Sequence, residues 1–307
     1  MKQGELLILG SSAAVPTGSN SPTSQILTVS GVPYLIDAGE GVQERLRFYK
    51  VRFQKIPVIF ISHLHGDHVL GLPGLIGTMN LLGRNAPLKI VGPKGIREFL
   101  DVIHRLTGAY QKFPLTIHEI ETEEVQRLAH EDSLLKVESI PVNHRVTTFG
   151  YKFQPTPGKR KVNPIALREL QLTPQEMQGL VRGQSVAREN GDFISPDDCC
   201  LPTKAPWTYV YSADTRPCVN IAHASQGATL LYHEATYLDD KAALAKKTFH
   251  STAREAGQVA KESRAQQLII GHFSNRYGDL ELLKQEAQAA FGGPVELARR
   301  GARFPIA

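Results

Sequence analysis

Four residues able to hold a cation fall within six positions, His63, His65, Asp67 and His68, in the run Ile59-Phe-Ile-Ser-His63-Leu-His65-Gly-Asp67-His68. An apolar strand leads into them. Strand alternation therefore places His63 and His65 on one side of the exiting chain, and Gly66 permits a turn that aims Asp67 and His68 at a neighbouring point. Imidazole nitrogens and carboxylate oxygens at this density form the donor set of a divalent metal site, and their arrangement could serve two adjacent cations. A dinuclear centre needs more donors, expected at other strand ends. His144 follows a β-rich run at 135–142, Asp214 follows one at 208–212, and His272 follows one at 267–271. Their wide separation excludes a zinc finger and suits an enzyme site gathered from several strands. His104, His118, His130 and His223 lie outside this constellation and read as surface or core residues.

The elements that must position these groups are short β-rich runs at 5–9, 25–29, 33–37, 58–61, 88–91, 135–142, 148–153, 208–212, 229–233 and 267–271. Helical patterns fall between them at 41–49, 96–106, 252–263 and 280–290. Strands such as 58–61 and 268–270 are apolar throughout, which predicts burial on both faces and helices outside: an α/β layered sandwich. The segment from Gln154 to about Pro206 breaks the rhythm. It is rich in proline, poor in β-branched residues, and predicts at most two short helices near 164–172 and 174–182, on an insertion that projects from the core.

The chain has 307 residues, 41% apolar and 21% charged, enough for a full hydrophobic core and against disorder over most of its length. Its charge-free stretches are too short or too polar to cross a bilayer, and the apolar run Leu6–Leu9 is too short for a secretory leader. A cytoplasmic location follows as an expectation. The three cysteines, Cys199, Cys200 and Cys218, have no metal-ligand spacing, and their odd number suits a reducing compartment. Net charge is +5. Residues 152–188 alone hold seven basic and two acidic residues, so the whole excess sits in the projecting segment and predicts a polyanionic partner.

With these residues in place, the chain resembles the metallo-β-lactamase superfamily and, within it, the ribonuclease Z family. The resemblance runs through Leu9-Gly-Ser-Ser-Ala-Ala-Val-Pro16, Asp37-Ala-Gly-Glu-Gly41, Phe60 to His68, Gly71-Leu-Pro-Gly74, Gly92-Pro-Lys-Gly-Ile-Arg97, Ser212-Ala-Asp-Thr-Arg-Pro217, His233-Glu-Ala-Thr236, His250-Ser-Thr252 and His272-Phe-Ser-Asn-Arg-Tyr277. It implies a four-layer αββα sandwich forming a single domain over 1–307, with an inserted tRNA-binding arm at 152–196. It also implies two Zn2+ ions per subunit, a homodimer, and cleavage of precursor tRNA after the discriminator base. Carried over by motif, His63, His65 and His144 would hold one zinc, Asp67, His68 and His272 the other, and Asp214 would bridge them, with Asp67 also the proton acceptor. The arm departs from many bacterial relatives in reading Leu172-Thr-Pro-Gln-Glu-Met177 where they carry a Gly-Pro pair.

Phosphodiester hydrolysis requires an activated water and a sink for charge at phosphorus, and a pair of divalent cations supplies both. His250, and the pair His233-Glu234, are candidates to protonate the leaving 3′-oxygen, since an imidazole oriented by a carboxylate can act as a general acid near neutrality. His250-Ser-Thr can also be read as a helix start, because Thr252-Ala-Arg-Glu255 has the form of a capping box. Asp37 is expected to orient a ligand histidine rather than bind metal. Ser274 and Arg276, just after His272, are placed to meet a phosphate, and Lys159, Arg160 and Lys161 to grip tRNA phosphates from the arm. The competing reading is a metallo-β-lactamase-fold phosphodiesterase or esterase acting on small substrates. N and O donors accept several divalent ions, so metals other than zinc also suit the set.

Overall fold

The computed structural model describes residues 2–18, 20–109, 111–121, 126–188, 191–201 and 205–307. Two seven-stranded sheets face each other. The first runs, in spatial order, Arg303–Ile306, Gly4–Gly10, Ser24–Val29, Val32–Ile36, Val58–Phe60, Leu88–Pro93 and Leu115–Ile120. The second runs Val295–Leu297, Leu268–Gly271, Leu230–Glu234, Tyr209–Tyr211, Phe149–Pro155, Leu135–Pro141 and Arg127–Glu131. Between the sheets lies an aromatic-rich core in which Phe60 of the first meets Tyr151 and Phe153 of the second, each pair of ring centroids 5.4 Å apart.

Helices cover both outer faces. Val42–Phe48, Gly71–Leu81 and Ile96–Thr107 pack their apolar sides on the first sheet, while Val219–Ala224, Ala253–Glu262 and Glu281–Phe291 do so on the second. The order of layers is therefore αββα, as the unbroken apolar strands require. Phe153 is fully buried, stacked on Tyr209 at 5.6 Å. Phe153→Ala is expected to cost about 3–5 kcal/mol of stability, read as a lower midpoint in urea unfolding.

Strand direction explains where chemistry can occur. Val32–Ile36, Val58–Phe60, Leu88–Pro93 and Leu115–Ile120 are mutually parallel, and so are Tyr209–Tyr211, Leu230–Glu234, Leu268–Gly271 and Val295–Leu297. Leu135–Pro141 is antiparallel to Phe149–Pro155, which is antiparallel to Tyr209–Tyr211, so it shares their direction. Asp37 and His63 thus leave one end of the first sheet, and His144, Asp214, Glu234 and His272 one end of the second. Ligand-bearing loops are expected at such carboxyl ends.

The segment after Gln154 carries more structure than its proline content predicts. Besides helices at Pro164–Glu169 and Pro174–Leu180 it has a two-stranded hairpin, Val186–Ala187 with Phe193–Ile194, and a short helix at Pro196–Cys199. Asn163, Thr173 and Ser195 cap the three helices. Ala166, Leu172, Leu180, Ile194, Cys199 and Cys200 form a small apolar cluster of their own, which accounts for two cysteines. Residues 189–190 and 202–204 of this segment lie outside the described residues. Among the described residues, no helix is long and apolar enough to cross a membrane.

Candidate metal centre

The seven donors spread over the sequence converge at the shared sheet edge. His63, His65, His144 and Asp214 form one group and Asp67, His68, His272 and Asp214 a second, the donor atoms within each lying within 4.8 Å of one another. Asp214 belongs to both. Its Oδ2 lies 3.7 Å from His63 Nε2, 3.4 Å from His68 Nε2 and 3.2 Å from His272 Nε2. Asp67 Oδ2 lies 3.5 Å from His68 Nε2 and 3.3 Å from His272 Nε2. His65 Nδ1 faces His63 Nε2 at 3.0 Å and His144 Nε2 at 3.3 Å.

In four of the five donor histidines the inward-facing nitrogen is set by what the opposite ring nitrogen does. His68 Nδ1 meets Asp37 Oδ2 at 2.8 Å, His63 Nδ1 meets Ser62 Oγ at 2.9 Å, His144 Nδ1 meets the Phe249 carbonyl at 2.9 Å, and His272 Nδ1 meets Thr236 Oγ1 at 2.9 Å. Such outer contacts fix tautomer and ring orientation and leave Nε2 as the lone-pair donor. Asp37 is itself fully buried and also accepts from Ser62 N, Ser62 Oγ and Tyr211 OH, at 2.7, 2.8 and 2.6 Å.

The chain is bent to make these contacts. Ala14, Asp37, Ala213, Phe249 and His272 all take positive φ, between 54° and 60°, a conformation costly for residues with a Cβ. Every one of them is a donor, adjoins a donor or positions one. Ala14, for instance, turns its N–H onto Asp67 Oδ2 at 2.9 Å. Gly39 and Gly71 let two segments touch: a Cβ on Gly71 would stand 2.2 Å from the Gly39 carbonyl oxygen, and one on Gly39 would stand 2.5 Å from that of Asp67. That contact fixes the short helix Gly66–Val69, which presents Asp67 and His68.

The donor set fits divalent metal. Lone pairs of facing imidazoles at about 3 Å repel unless a cation or proton lies between them, and His68 Nε2 is buried without an aligned hydrogen-bond partner. Burial opposes a charge on His68, yet Asp214, Asp67 and Asp37 together raise its pKa well above the ordinary imidazole value. Burial likewise opposes the anions of Asp67 and Asp214, but neighbouring histidines hold both carboxyls well below the usual range. So much converging negative charge calls for cations at this position.

Against this geometry the comparisons with known proteins are decisive. The ribonuclease Z of Porphyromonas gingivalis is 40% identical over 284 residues, covering 92% of this chain and 93% of its own. That of Parabacteroides distasonis is 37% identical over the full length of both chains. The chain belongs to the ribonuclease Z family. The crystal structure of the short form of human tRNase Z superimposes with a TM-score of 0.71 at 26% identity, covering 98% of each chain. A metallo-β-lactamase fold protein, YhfI of Bacillus subtilis, gives 0.70 at 19% identity over 99% of each and speaks for the fold. A family model described as "Anti-Pycsar protein Apyc1" matches residues 4–153. It reaches His144 but ends at residue 153, short of Asp214, His250 and His272, whereas the ribonuclease Z relatives match along the chain. Membership makes the protein a metal-dependent enzyme of the hydrolytic metallo-β-lactamase fold.

In this member of the family the donors open onto a cavity of about 710 Å3, whose wall includes Asp67, Asp214, His250, His272, Ser274 and Arg276. His250 stacks on His272, with ring centroids 5.2 Å apart. Its Nδ1 pairs with Glu234 Oε1 at 2.8 Å, so the predicted imidazole–carboxylate couple is present. Burial lowers the His250 pKa, but the Glu234 carboxylate outweighs it and pushes the value up to about 9. Glu234 differs from its expected role. It is fully buried, is absent from the cavity wall, and also accepts from Thr215 N, Thr236 N and Thr236 Oγ1. Its contacts set it behind His250 and Thr236, and its carboxylate forms a third donor group with His250 and His272. His233 is buried too, its Nδ1 donating to the Glu234 carbonyl at 2.8 Å, and it faces away from the cavity. The capping box at Thr252 and Glu255 is formed as well, so the His250 loop is both a helix start and part of the site.

Arm residues divide into two classes. Arg160 is paired with Asp197 at 2.5 Å, and Arg188 with Glu176 at 2.7 Å. Lys159, Lys161, Arg168 and Arg182 are exposed and have no ion pair among the described residues. Arg160 is therefore tied to the helix Pro196–Cys199, which Lys159 and Lys161 are not. The sequence reading also missed Ser62, Arg145, Thr236 and Tyr237. Ser62 and Arg145 carried a signal as chain neighbours of the donors His63 and His144, and Thr236 as the last residue of the His233-Glu-Ala-Thr236 motif.

Proposed function

We infer that the protein is a metal-dependent endoribonuclease that removes the 3′ trailer from precursor tRNA, cutting after the discriminator base and leaving a 3′-hydroxyl on the tRNA and a 5′-phosphate on the trailer. The observation that carries this reading is the pair of donor groups sharing Asp214 beside the His250–Glu234 couple, in a chain matching ribonuclease Z relatives end to end. His63, His65 and His144 would hold one zinc ion, Asp67, His68 and His272 a second, with Asp214 between them. When bound, such a pair lowers the pKa of a water and neutralises charge on the phosphoryl oxygens.

The chain's own residues supply the remainder. Asp67, anchored by the Ala14 N–H, accepts the proton of the attacking water through its carboxylate. The water oxygen joins phosphorus as the bond from phosphorus to O3′ breaks. His250, kept protonated by Glu234, delivers the proton to O3′. Ser274 and Arg276 face the cavity where phosphate oxygens would lie. The arm at 152–196 presents Lys159, Lys161, Arg168 and Arg182 to the tRNA backbone, contacts that add affinity with strong salt dependence and little base reading. Phe48, Leu81, Leu82 and Leu106 are exposed on the helices over the first sheet and support a homodimer. We place the enzyme in the cytoplasm, where precursor tRNA is found.

The test is cleavage of an end-labelled precursor tRNA with the cut mapped, alongside metal analysis. Scattered cuts along the trailer would reject the reading. Substituting Lys159, Lys161, Arg168 and Arg182 together by alanine is expected to raise KM for precursor tRNA by about 10²-fold and flatten its salt dependence. Hydrolysis of a small chromogenic phosphodiester is expected to persist. The competing small-substrate phosphodiesterase reading predicts no effect of these changes on its physiological reaction.

A further inference from the structure

Two guanidinium groups stand in the cavity wall, those of Arg145 and Arg276. Arg276 is held in place: its Nε donates to Ser274 Oγ at 3.0 Å, and its guanidinium lies 5.1 Å from the Tyr237 ring centroid. Arg145 follows the donor His144 directly and is exposed, with neither hydrogen bond nor ion pair among the described residues. Arg216, Arg254 and Arg299 of the same half of the fold are matched to Glu255, Asp239 and Glu281, and Arg264 and Arg300, which have no ion pair among the described residues, do not line the cavity. An unmatched cation beside a centre built to hold further cations is electrostatically unfavourable until an anion arrives. An RNA strand brings one such anion per nucleotide. With the scissile phosphate over the donor groups, its chain neighbours reach the cavity walls.

We propose that Arg145 binds the non-bridging oxygens of a phosphate flanking the scissile one, and so helps the site select polynucleotide over an isolated phosphodiester. The inference rests on the RNA-cleaving reading above. The planar fork of arginine suits this task because it engages two phosphate oxygens at once. Arg145 would hold the strand beside His144, and Ser274 and Arg276 beside His272.

The experiment compares the unaltered protein with Arg145→Ala and Arg145→Lys on precursor tRNA over a series of KCl concentrations. Each is also given substrates with an uncharged methylphosphonate at the linkage on either side of the cut. Arg145→Ala is expected to raise KM about tenfold with kcat within about twofold, and to lower the log–log salt slope by about one. Lysine is expected to restore part of the loss. One of the two methylphosphonates is expected to weaken the unaltered protein by a similar factor, with Arg145→Ala adding nothing further on that substrate. An unchanged KM and salt slope would overturn the proposal. So would a collapse of kcat with loss of bound metal, which would mean that Arg145 only supports His144, or a loss undiminished on both neutralised substrates. Failure of the unaltered protein to cut precursor tRNA would instead remove the RNA-processing reading, and the salt slope of precursor-tRNA binding by Arg145→Ala then decides the phosphate contact separately.

Discussion

Asp67→Ala is expected to lower kcat on precursor tRNA by about 10³-fold, with the position of any residual cut unchanged. Three functions meet in this carboxylate. It belongs to the second donor group, its Oδ2 is oriented by the Ala14 N–H, and it faces the cavity where the attacking water would lie. Asp67→Asn separates these functions. The amide oxygen remains an available donor, but the group no longer accepts a proton, so metal content is expected to fall less than in Asp67→Ala while kcat falls comparably. Metal analysis and single-turnover cleavage check this together. Full activity in either variant would remove Asp67 from the proton transfer and with it the proposed division of labour.

The second large effect concerns the acid limb. His250 must be protonated to serve the leaving oxygen. Its pKa is pushed up to about 9 because the Glu234 carboxylate outweighs burial, so the protonated form persists through neutrality and activity falls as pH rises toward that value. Glu234→Gln removes the one neighbour, among the described residues, that both bonds the ring and carries a full negative charge. Burial then dominates, the His250 pKa drops, and the alkaline limb moves to lower pH by more than about one unit. At pH 8 kcat is expected to fall by about 10²-fold, partly recovered at pH 6. A merely structural Glu234 would depress the rate equally at both pH values, and that result in the pH–rate profile would sink the assignment.

Much of the fold was legible because its strands are apolar on both sides, which leaves few alternatives to a sheet covered by helices. Leu115–Ile120 and Arg127–Glu131 carry no clear strand pattern in the sequence because they are edge strands, only half-buried, with His118, Glu119, Arg127 and His130 interrupting the apolar run. The helix Gly71–Leu81 was hidden by its composition. Three glycines and a proline give it poor helix propensity, yet Leu72, Leu75, Ile76 and Met79 are buried against the first sheet, and packing outweighs propensity there. In the arm, charge counting treated seven cations as equivalent, whereas ion pairing depends on partners such as Asp197, remote in sequence from Arg160.

By itself the sequence determined which groups could hold cations, because donor chemistry belongs to the side chain and four of the seven donors are packed into His63-Leu-His65-Gly-Asp67-His68. It also determined that His144, Asp214 and His272 follow strands, and hence which end of a sheet they could occupy. Only the tertiary structure decided that Asp214 faces both groups, that Glu234 is buried behind His250, and that Ala14 and Phe249 turn backbone groups onto Asp67 and His144. The reason is physical: backbone N–H and C=O groups are the same at every residue, so which of them serves the site depends on left-handed turns and on the packing of loops far apart in the chain.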